Sequence, residues 1–267
     1  MKIVDLEEKH QESYFVCLEG WSNEIKEAKD HKERWYNKMK EKNYDLGVKL
    51  ALNEEDELVG MIQYIPIEIS QAKGENLYFI LCIWVHGYEE GVGNYQKRGI
   101  GKQLLKAAEE DVRQKGGKGL VSWGVSLPFW MKASWFKKQG YQKIDRRGIS
   151  ILLWKPFSND VDIPHWIKPK KLPKKISGKV VVTAFINGWC PAQNTVFERA
   201  KKVAQEFGDK VIFQEIDTFN RQNFEEWGIG DALFIDGKEI NTGPPPSYEK
   251  LKKKIEKRVK KIKIIQS

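Results

Sequence analysis

The segment Gln96-Lys97-Arg98-Gly99-Ile100-Gly101-Lys102 has the residues of an anion site. Two glycines one residue apart let a ligand approach the main chain without meeting a β-carbon. Lys97, Arg98 and Lys102 add positive charge. The apolar run LYFILCIWV (77–85) precedes this segment. A stretch at 101–115 follows it, with Leu104, Leu105, Ala108 and Val112 at helical spacing. The first amides of such a helix lack backbone acceptors, and the helix dipole adds partial positive charge there. Together these features predict a pyrophosphate site. Two common nucleotide fingerprints do not fit: no Gly-Lys-Ser/Thr closes the loop, and no Gly-x-Gly-x-x-Gly is followed by an acid ~20 residues on. A second helix start carries a thiol. Cys190 precedes Pro191, which suits a first helical position, and a helix N-terminus lowers a thiol pKa.

The elements that must position these groups fall on either side of a proline-rich stretch. The chain has 267 residues, 40% hydrophobic and 31% charged, which is a globular composition and, at ~150 residues per domain, suggests a little under two domains. Four prolines (Pro156, Pro164, Pro169 and Pro173) fall in 156–178 among lysines. We read this stretch as a linker between a domain at 1–155 and one at 179–267. In the first domain, 46–52 and 57–67 read as an antiparallel hairpin, 77–85 and 119–126 as strands, 130–139 as a short helix, and 141–154 as containing a final strand. In the second, 179–186 and 210–216 read as strands, 191–207 and a segment near 219–227 as helices, and 232–240 as a hairpin turning at Asp236–Gly237. A basic helix closes this order, with Leu251, Ile255, Val259 and Ile262 as a packing stripe and its lysines facing water. The net charge is +9, concentrated near that helix. A solvated face is the expected reading, so nucleic acid is not expected as a partner. Cys17, Cys82 and Cys190 are too few and too far apart for a disulfide framework or a four-cysteine zinc site. No metal, membrane span or export signal is expected, and a cytoplasmic location is.

The pattern Gln-x-x-Gly-x-Gly after a strand ending in Ile-Trp-Val resembles the acyl-CoA-binding motif of the GNAT superfamily of N-acetyltransferases. The segment Ala133-Ser-Trp-Phe-Lys-Lys-Gln-Gly-Tyr141 resembles that family's later signature. The resemblance implies an α/β (α+β) fold with a mixed sheet whose two central strands splay apart, with acetyl-CoA in the cleft as cosubstrate. Its pyrophosphate would lie on the amides of Gln96, Lys97, Arg98, Gly99, Ile100, Gly101 and Lys102. Backbone groups of Ile83 and Val85, flanking Trp84, would meet the thioester carbonyl and the pantetheine amides, and Ala133 and Phe136 would also line the cofactor site. An N–H aimed at the developing oxyanion, for which Ile83 is the candidate, is the expected main electrostatic contribution.

An amine would attack directly from the opposite side. His86 is the candidate general base, with a suitable ordinary pKa of ~6.5; Glu89 and Glu90 are alternatives. Trp84, Trp123, Phe129, Trp130 and Trp135 are candidates for an aromatic acceptor pocket, suited to a cation, or for core. The sequence departs from the family where Phe136 replaces a proton-donating tyrosine and Trp130 replaces a polar residue. The loop from His86 to Tyr95 is longer than the family's common form. A non-catalytic acetyl-CoA-binding module is therefore the alternative to an N-acetyltransferase.

The order after the linker resembles the thioredoxin fold, with Cys190 at its reactive position. Gln193 stands where a second cysteine would be, so Cys190 is a candidate monothiol in an otherwise structural or ligand-holding domain. The ending Gly243-Pro-Pro-Pro-Ser-Tyr-Glu-Lys250 resembles the small bacterial YoaP-like group. Oligomeric state and the identity of the amine stay open.

Overall fold

Asn53 builds the first turn of the main sheet: its Oδ1 accepts the amides of Glu55 (3.1 Å) and Glu57 (2.7 Å). Asp56 takes a left-handed φ of 58° beside it. Such a side chain replaces the backbone acceptors a tight turn leaves out. The computed structural model describes residues 1–126, 130–240 and 245–266. Along the chain run β1 (Lys2–Asp5), α1 (Gln11–Phe15), α2 (Asn23–Lys26), α3 (Lys29–Glu41), β2 (Gly47–Leu52), β3 (Leu58–Pro66), β4 (Ala72–Lys73) and β5 (Tyr78–Val85). Then come α4 (Ile100–Gln114), β6 (Gly119–Val125), α5 (Ala133–Lys138), β7 (Gln142–Arg147), β8 (Ser150–Pro156) and β9 (His165–Trp166). The rest comprises β10 (Val180–Ile186), α6 (Pro191–Glu206), β11 (Val211–Asp217), α7 (Arg221–Trp227), β12 (Ala232–Ile235), β13 (Lys238–Glu239) and α8 (Tyr248–Gln266).

The chain forms two compact units, Met1–Trp21 with Lys38–Ile167 and Ser22–Asn37 with Lys168–Ser267. This differs from the expected division at 156–178 in two ways. First, β9 pairs with β4, and Trp166, 4% exposed, packs on Phe79, so the chain stays in the first unit through Ile167. Second, residues 22–37 belong with the second unit, where the Thr195 hydroxyl donates to the Glu24 carbonyl at 3.1 Å and Arg199 pairs with Glu24 and Glu27. These anchors are polar and far apart in sequence, so hydrophobic periodicity carries no trace of them.

In the first unit, seven strands take the order β1-β2-β3-β5-β6-β8-β7. Neighbours pair antiparallel except β5 and β6, which run parallel and register only at Tyr78–Leu120 and Phe79–Val121. Past those two pairs the strands part, while β6 keeps seven paired positions with β8. The final strand expected in 141–154 is a hairpin of two, because β7 (QKIDRR) is a polar edge strand with little hydrophobic signal. The core beneath α4 gathers Ile100, Leu104, Leu105, Ala108 and Val112 with Ile62, Ile80 and Phe136.

A clamp fixes the middle of α4. Asp111 accepts from Tyr64 (2.7 Å) and Lys49 (2.9 Å) and pairs with Lys115 (3.1 Å). Burial alone would raise this carboxyl, but those hydrogen bonds outweigh it and hold it below the ordinary carboxylate range.

The second unit has four strands in the order β11-β10-β12-β13, with β10 parallel to β11 and antiparallel to β12. One core cluster joins α6 and α8 to the sheet, with Leu251, Ile255 and Val259 buried along the expected stripe. A second cluster holds Phe185 and Phe234 with Trp227 of α7. Asp236 and Gly237 both take positive φ, as a two-residue hairpin turn requires. Among the described residues no helix is long and apolar enough to cross a membrane, and no group of three or more metal-ligating side chains gathers.

Candidate functional site: an open helix start beside a split sheet

One extra residue in β5, Leu81, shifts the register against β3: Gln63 faces Cys82 and Tyr64 faces Ile80. Such a bulge re-aims the side chains beyond it. Ile83 and Val85 consequently point into the core under α4, and by strand alternation Trp84 stands on the other face. The bulge lies where β5 and β6 separate. The Leu81 carbonyl, deprived of a strand partner on that side, accepts the Trp123 indole N–H at 3.0 Å.

The expected phosphate loop ends at α4 with Gly99 as N-cap, in a left-handed conformation (φ 81°). Lys97 is also left-handed, at φ 63°. A β-carbon on Gly99 would point into open space, meeting nothing within 4 Å. The loop is tied at its rear: the Gln96 amide donates to Asn94 Oδ1 (3.0 Å), and its side-chain Nε2 donates to the Val85 carbonyl (3.3 Å). The Arg98 guanidinium lies 4.5 Å from the Tyr95 ring centroid. Two of the expected amide donors are thereby spent, Gln96 on Asn94 and Lys102 on the Gly99 carbonyl. The expected anion-facing set narrows to Lys97 through Gly101. In that set the amides of Ile100 and Gly101 are left over by helix geometry.

His86 does not fit its expected role as general base. It is 0% exposed, and both ring nitrogens are engaged: Nδ1 with the Gly93 carbonyl at 2.8 Å, and Nε2 with the Trp21 indole N–H at 3.1 Å. With Nε2 accepting from Trp21, Nδ1 is the donor, and no lone pair is left for a substrate proton. His86 is a keystone for the 86–95 loop instead. Its carbonyl also accepts the Tyr95 amide at 2.9 Å.

Ala133 and Phe136, expected at the cofactor, are 3% and 0% exposed and belong to the core, with Phe136 packed edge-on against Trp135 and Tyr141. The expected aromatic pocket divides. Trp123 stacks edge-on with the exposed Trp130 (5.2 Å between centroids), Trp135 covers the first turn of α4 at Gly101, and Trp84 meets Tyr88 (6.2 Å). The Trp84 indole N–H is buried without an acceptor among the described residues. Phe129 lies outside the described residues. Glu89 and Glu90 are exposed on the loop.

The sequence reading missed Trp21, Glu19 and Tyr88. Trp21 is 38% exposed and Tyr88 42%, and their rings meet edge-on at 5.1 Å. Burial pushes the Glu19 carboxyl up to about 7. The Tyr88 hydroxyl is raised by burial and by the charges of Glu19 and Glu90. The glycines at 91 and 93, inside an extended loop, were the one local signal: a β-carbon on Gly91 would come within 2.6 Å of the Trp21 ring.

Cys190 caps α6 but is 8% exposed, between Trp189 (6%) and the fully buried Asn194. Cys17 is more exposed than Cys190. The structure gives the expected reactive thiol at 190 little access, because Cys190 and the residues at this helix start are buried.

The acetyltransferase (GNAT) family profile matches residues 4–141. Among solved structures, the PaiA N-acetyltransferase of Thermoplasma acidophilum in complex with coenzyme A is 22% identical over 58% of this chain and 99% of that one, with a TM-score of 0.44. The GNAT-family N-acetyltransferase YhbS of Escherichia coli, in complex with CoA, is 12% identical over 62% and 88%, with a TM-score of 0.44. A GNAT-family acetyltransferase of Brucella melitensis, in complex with acetyl-CoA, is 14% identical over 62% and 92%, with a TM-score of 0.41. No curated protein matches the chain. With the family profile spanning half of its length, this chain belongs to the acetyltransferase (GNAT) family.

Proposed function

We propose that the protein transfers the acetyl group of acetyl-CoA to an amine by direct attack. The observation that carries this reading is the glycine-capped start of α4, open in front of Gly99 and set beside the split between β5 and β6. Lys97 through Gly101 offer main-chain amides to the pyrophosphate, with the Lys97 and Arg98 side chains adding charge. The backbone of Ile83 and Val85 borders the split and would meet the acyl arm. Acetyl-CoA supplies an acyl group on a good leaving thiol. The amine nitrogen forms a bond to the carbonyl carbon, the carbon–sulfur bond breaks, and the proton lost by nitrogen balances the one the thiolate gains. Phe136 is buried and cannot donate that proton. Loss of such assistance costs about 100–10,000-fold in rate and leaves the reaction possible.

For the second unit we propose a thioredoxin-like, non-redox role, supported by its 2-1-3-4 strand order and by Gln193 in place of a second cysteine. The test of the whole reading is calorimetry with acetyl-CoA, followed by measurement of free thiol released in an amine screen. Binding with release supports transfer. Binding without release across the screen supports a non-catalytic acetyl-CoA module. Absence of binding overturns both.

A further inference from the structure

The sequence presents α8 as a run of lysines, and the structure sorts them by position and by pairing. Leu251, Ile255, Val259 and Ile262 fall on one side of the helix and join the core of the second unit. Lys252 and Lys260 are neutralised, by Glu206 at 2.7 Å and by Glu256 at 2.8 Å. Lys250, Lys253, Lys254, Lys257 and Lys261 are a different set. At ~100° per residue they occupy about 100° of arc on the side away from the core. All but the half-buried Lys254 are exposed, and none makes an ion pair among the described residues. Glu249 and Glu256, the acids of α8, fall outside that arc. An open, shallow cavity of about 430 Å³ runs along Lys250, Lys253, Lys254 and Lys257, with Ser247 and Glu249 at its N-terminal end.

The pairs Lys250–Lys254, Lys253–Lys257 and Lys257–Lys261 place like charges four residues apart, which weakens a helix. Neither the core nor an acidic neighbour compensates for this stripe, and an opposed row of negative charges would. Its length says which row. From Lys250 to Lys261 the helix rises ~16 Å. One strand of duplex DNA carries a phosphate every ~3.4 Å along its axis, about five over that length, and the stripe has five lysines. An anionic lipid surface fits less well, because the apolar face of α8 is already committed to the core and has nothing to bury among acyl chains.

We propose that the lysine face of α8 docks lengthwise on the phosphate backbone of duplex DNA, without reading its sequence. The expectation of a face that meets only water is thereby replaced. The site lies within the second unit and stands whether or not the chain transfers acetyl groups.

The test is fluorescence anisotropy of a labelled DNA duplex of ~20 base pairs, titrated with the full chain at about 50 and about 200 mM salt. Five phosphates neutralised give a slope of about −4.5 in log K against log salt, so binding should be about 500-fold weaker at the higher salt. In Lys253→Gln/Lys257→Gln the slope should shrink by about 2 and binding at the lower salt should weaken. Lys252→Gln/Lys260→Gln removes the same charge from the paired positions and should leave the slope within about half a unit of the native one. Urea unfolding confirms that each variant is folded. No binding at the lower salt, or equal losses in the two double variants, overturns the proposal. So does tighter binding, per phosphate, to a matched RNA duplex or to vesicles of mixed phosphatidylcholine and phosphatidylserine. Acetyl-CoA calorimetry on the same samples judges the acetyl-transfer reading separately, and its affinity should be the same in all three proteins.

Discussion

Two helices in this chain each follow a buried strand, α4 after a long loop from Val85 and α6 after a short turn from Ile186, and the two starts do opposite things. At α4 the cap is Gly99, with open space ahead of it and a left-handed φ that favours glycine. At α6 the cap is Cys190, buried like its neighbours Trp189 and Asn194, and the preceding Gly188 has the Trp35 side chain and the His31 carbonyl within 3.4 Å of where its β-carbon would be. Both ends carry leftover amides and the positive end of a dipole. Only one leaves room for a ligand. The comparison shows that a helix start becomes a site through what is left out around it. It also shows why a thiol at the second start is not thereby reactive.

Gly99→Asp should break the contrast most. Strain at a left-handed φ costs ~1–2 kcal/mol, and a new anion would face the pyrophosphate. We expect acetyl-CoA affinity to fall at least ~100-fold, above what strain alone supplies at ~1.4 kcal/mol per tenfold. Unchanged affinity by calorimetry in the folded variant would place the ligand elsewhere.

Asp111→Asn asks whether α4 can keep an open start without its clamp. Removing a largely buried partner of Lys49 and Lys115 should cost about 3 kcal/mol in urea unfolding. The same clamp gives the first unit an acid limit. The Asp111 carboxyl is held below its unfolded value, so its contribution is complete above the unfolded pKa and is lost as pH falls through the folded one. Native protein should lose stability as pH falls below the ordinary aspartate pKa of about 4, and Asp111→Asn should lose less over that range. Equal acid sensitivity of the two would assign the limit to other groups.

Phe136→Tyr comes next. A hydroxyl placed in this fully buried position without a partner should cost ~1–3 kcal/mol. Acetyl-CoA affinity should stay the same, because the ring faces the core and not the cleft. A gain in transfer rate at unchanged stability would show that the hydroxyl reaches the leaving thiolate after all.

The smallest effect is expected at the packed start. In native protein at neutral pH, iodoacetamide should modify Cys17 before Cys190, and Cys190→Ser should leave acetyl-CoA affinity within ~2-fold, since a buried structural thiol behaves as a small apolar group. Faster modification of Cys190, read by mass spectrometry, would mean that the second helix start opens in solution.

How much of this could be read in the sequence follows from distance along the chain. The glycine-capped loop before α4 is contiguous, so strand, glycines and helix announce themselves within 77–115. The core stripe of α8 is equally local. The corner around Tyr88 was not legible because Trp21 reaches it across 65 residues, through one hydrogen bond to His86. His86 itself was misread because its position after a strand gives no sign that both nitrogens are spent inside the protein. Phe136 lies deeper than its place in the family-like signature suggests, since a helix of six residues has too little periodicity to say which face is buried. The strand β7 escaped notice because its pairing is made by main chain, with polar side chains on both faces.

The segment 22–37 also sets an order of events during synthesis. Its partners lie far ahead of it: His31 meets Glu198 across 167 residues and Thr195 meets Glu24 across 171. When a ribosome has delivered residues 1–167, the chain of the first unit is complete, but the stretch at 22–37 still waits for strands and helices not yet made. Long-range closures of this kind slow folding, and apolar side chains exposed in the interval invite misassembly. Ile25, Ala28, Trp35 and Tyr36, all buried in the finished protein, are among the side chains that must spend that interval uncovered. Expression of residues 1–167 alone would leave them so permanently. Expression of 168–267 alone would leave Arg199, 7% exposed at its side chain, without Glu24 and Glu27. Because unit two takes in residues 22–37 as well as 168–267, no single cut in the chain divides the two units.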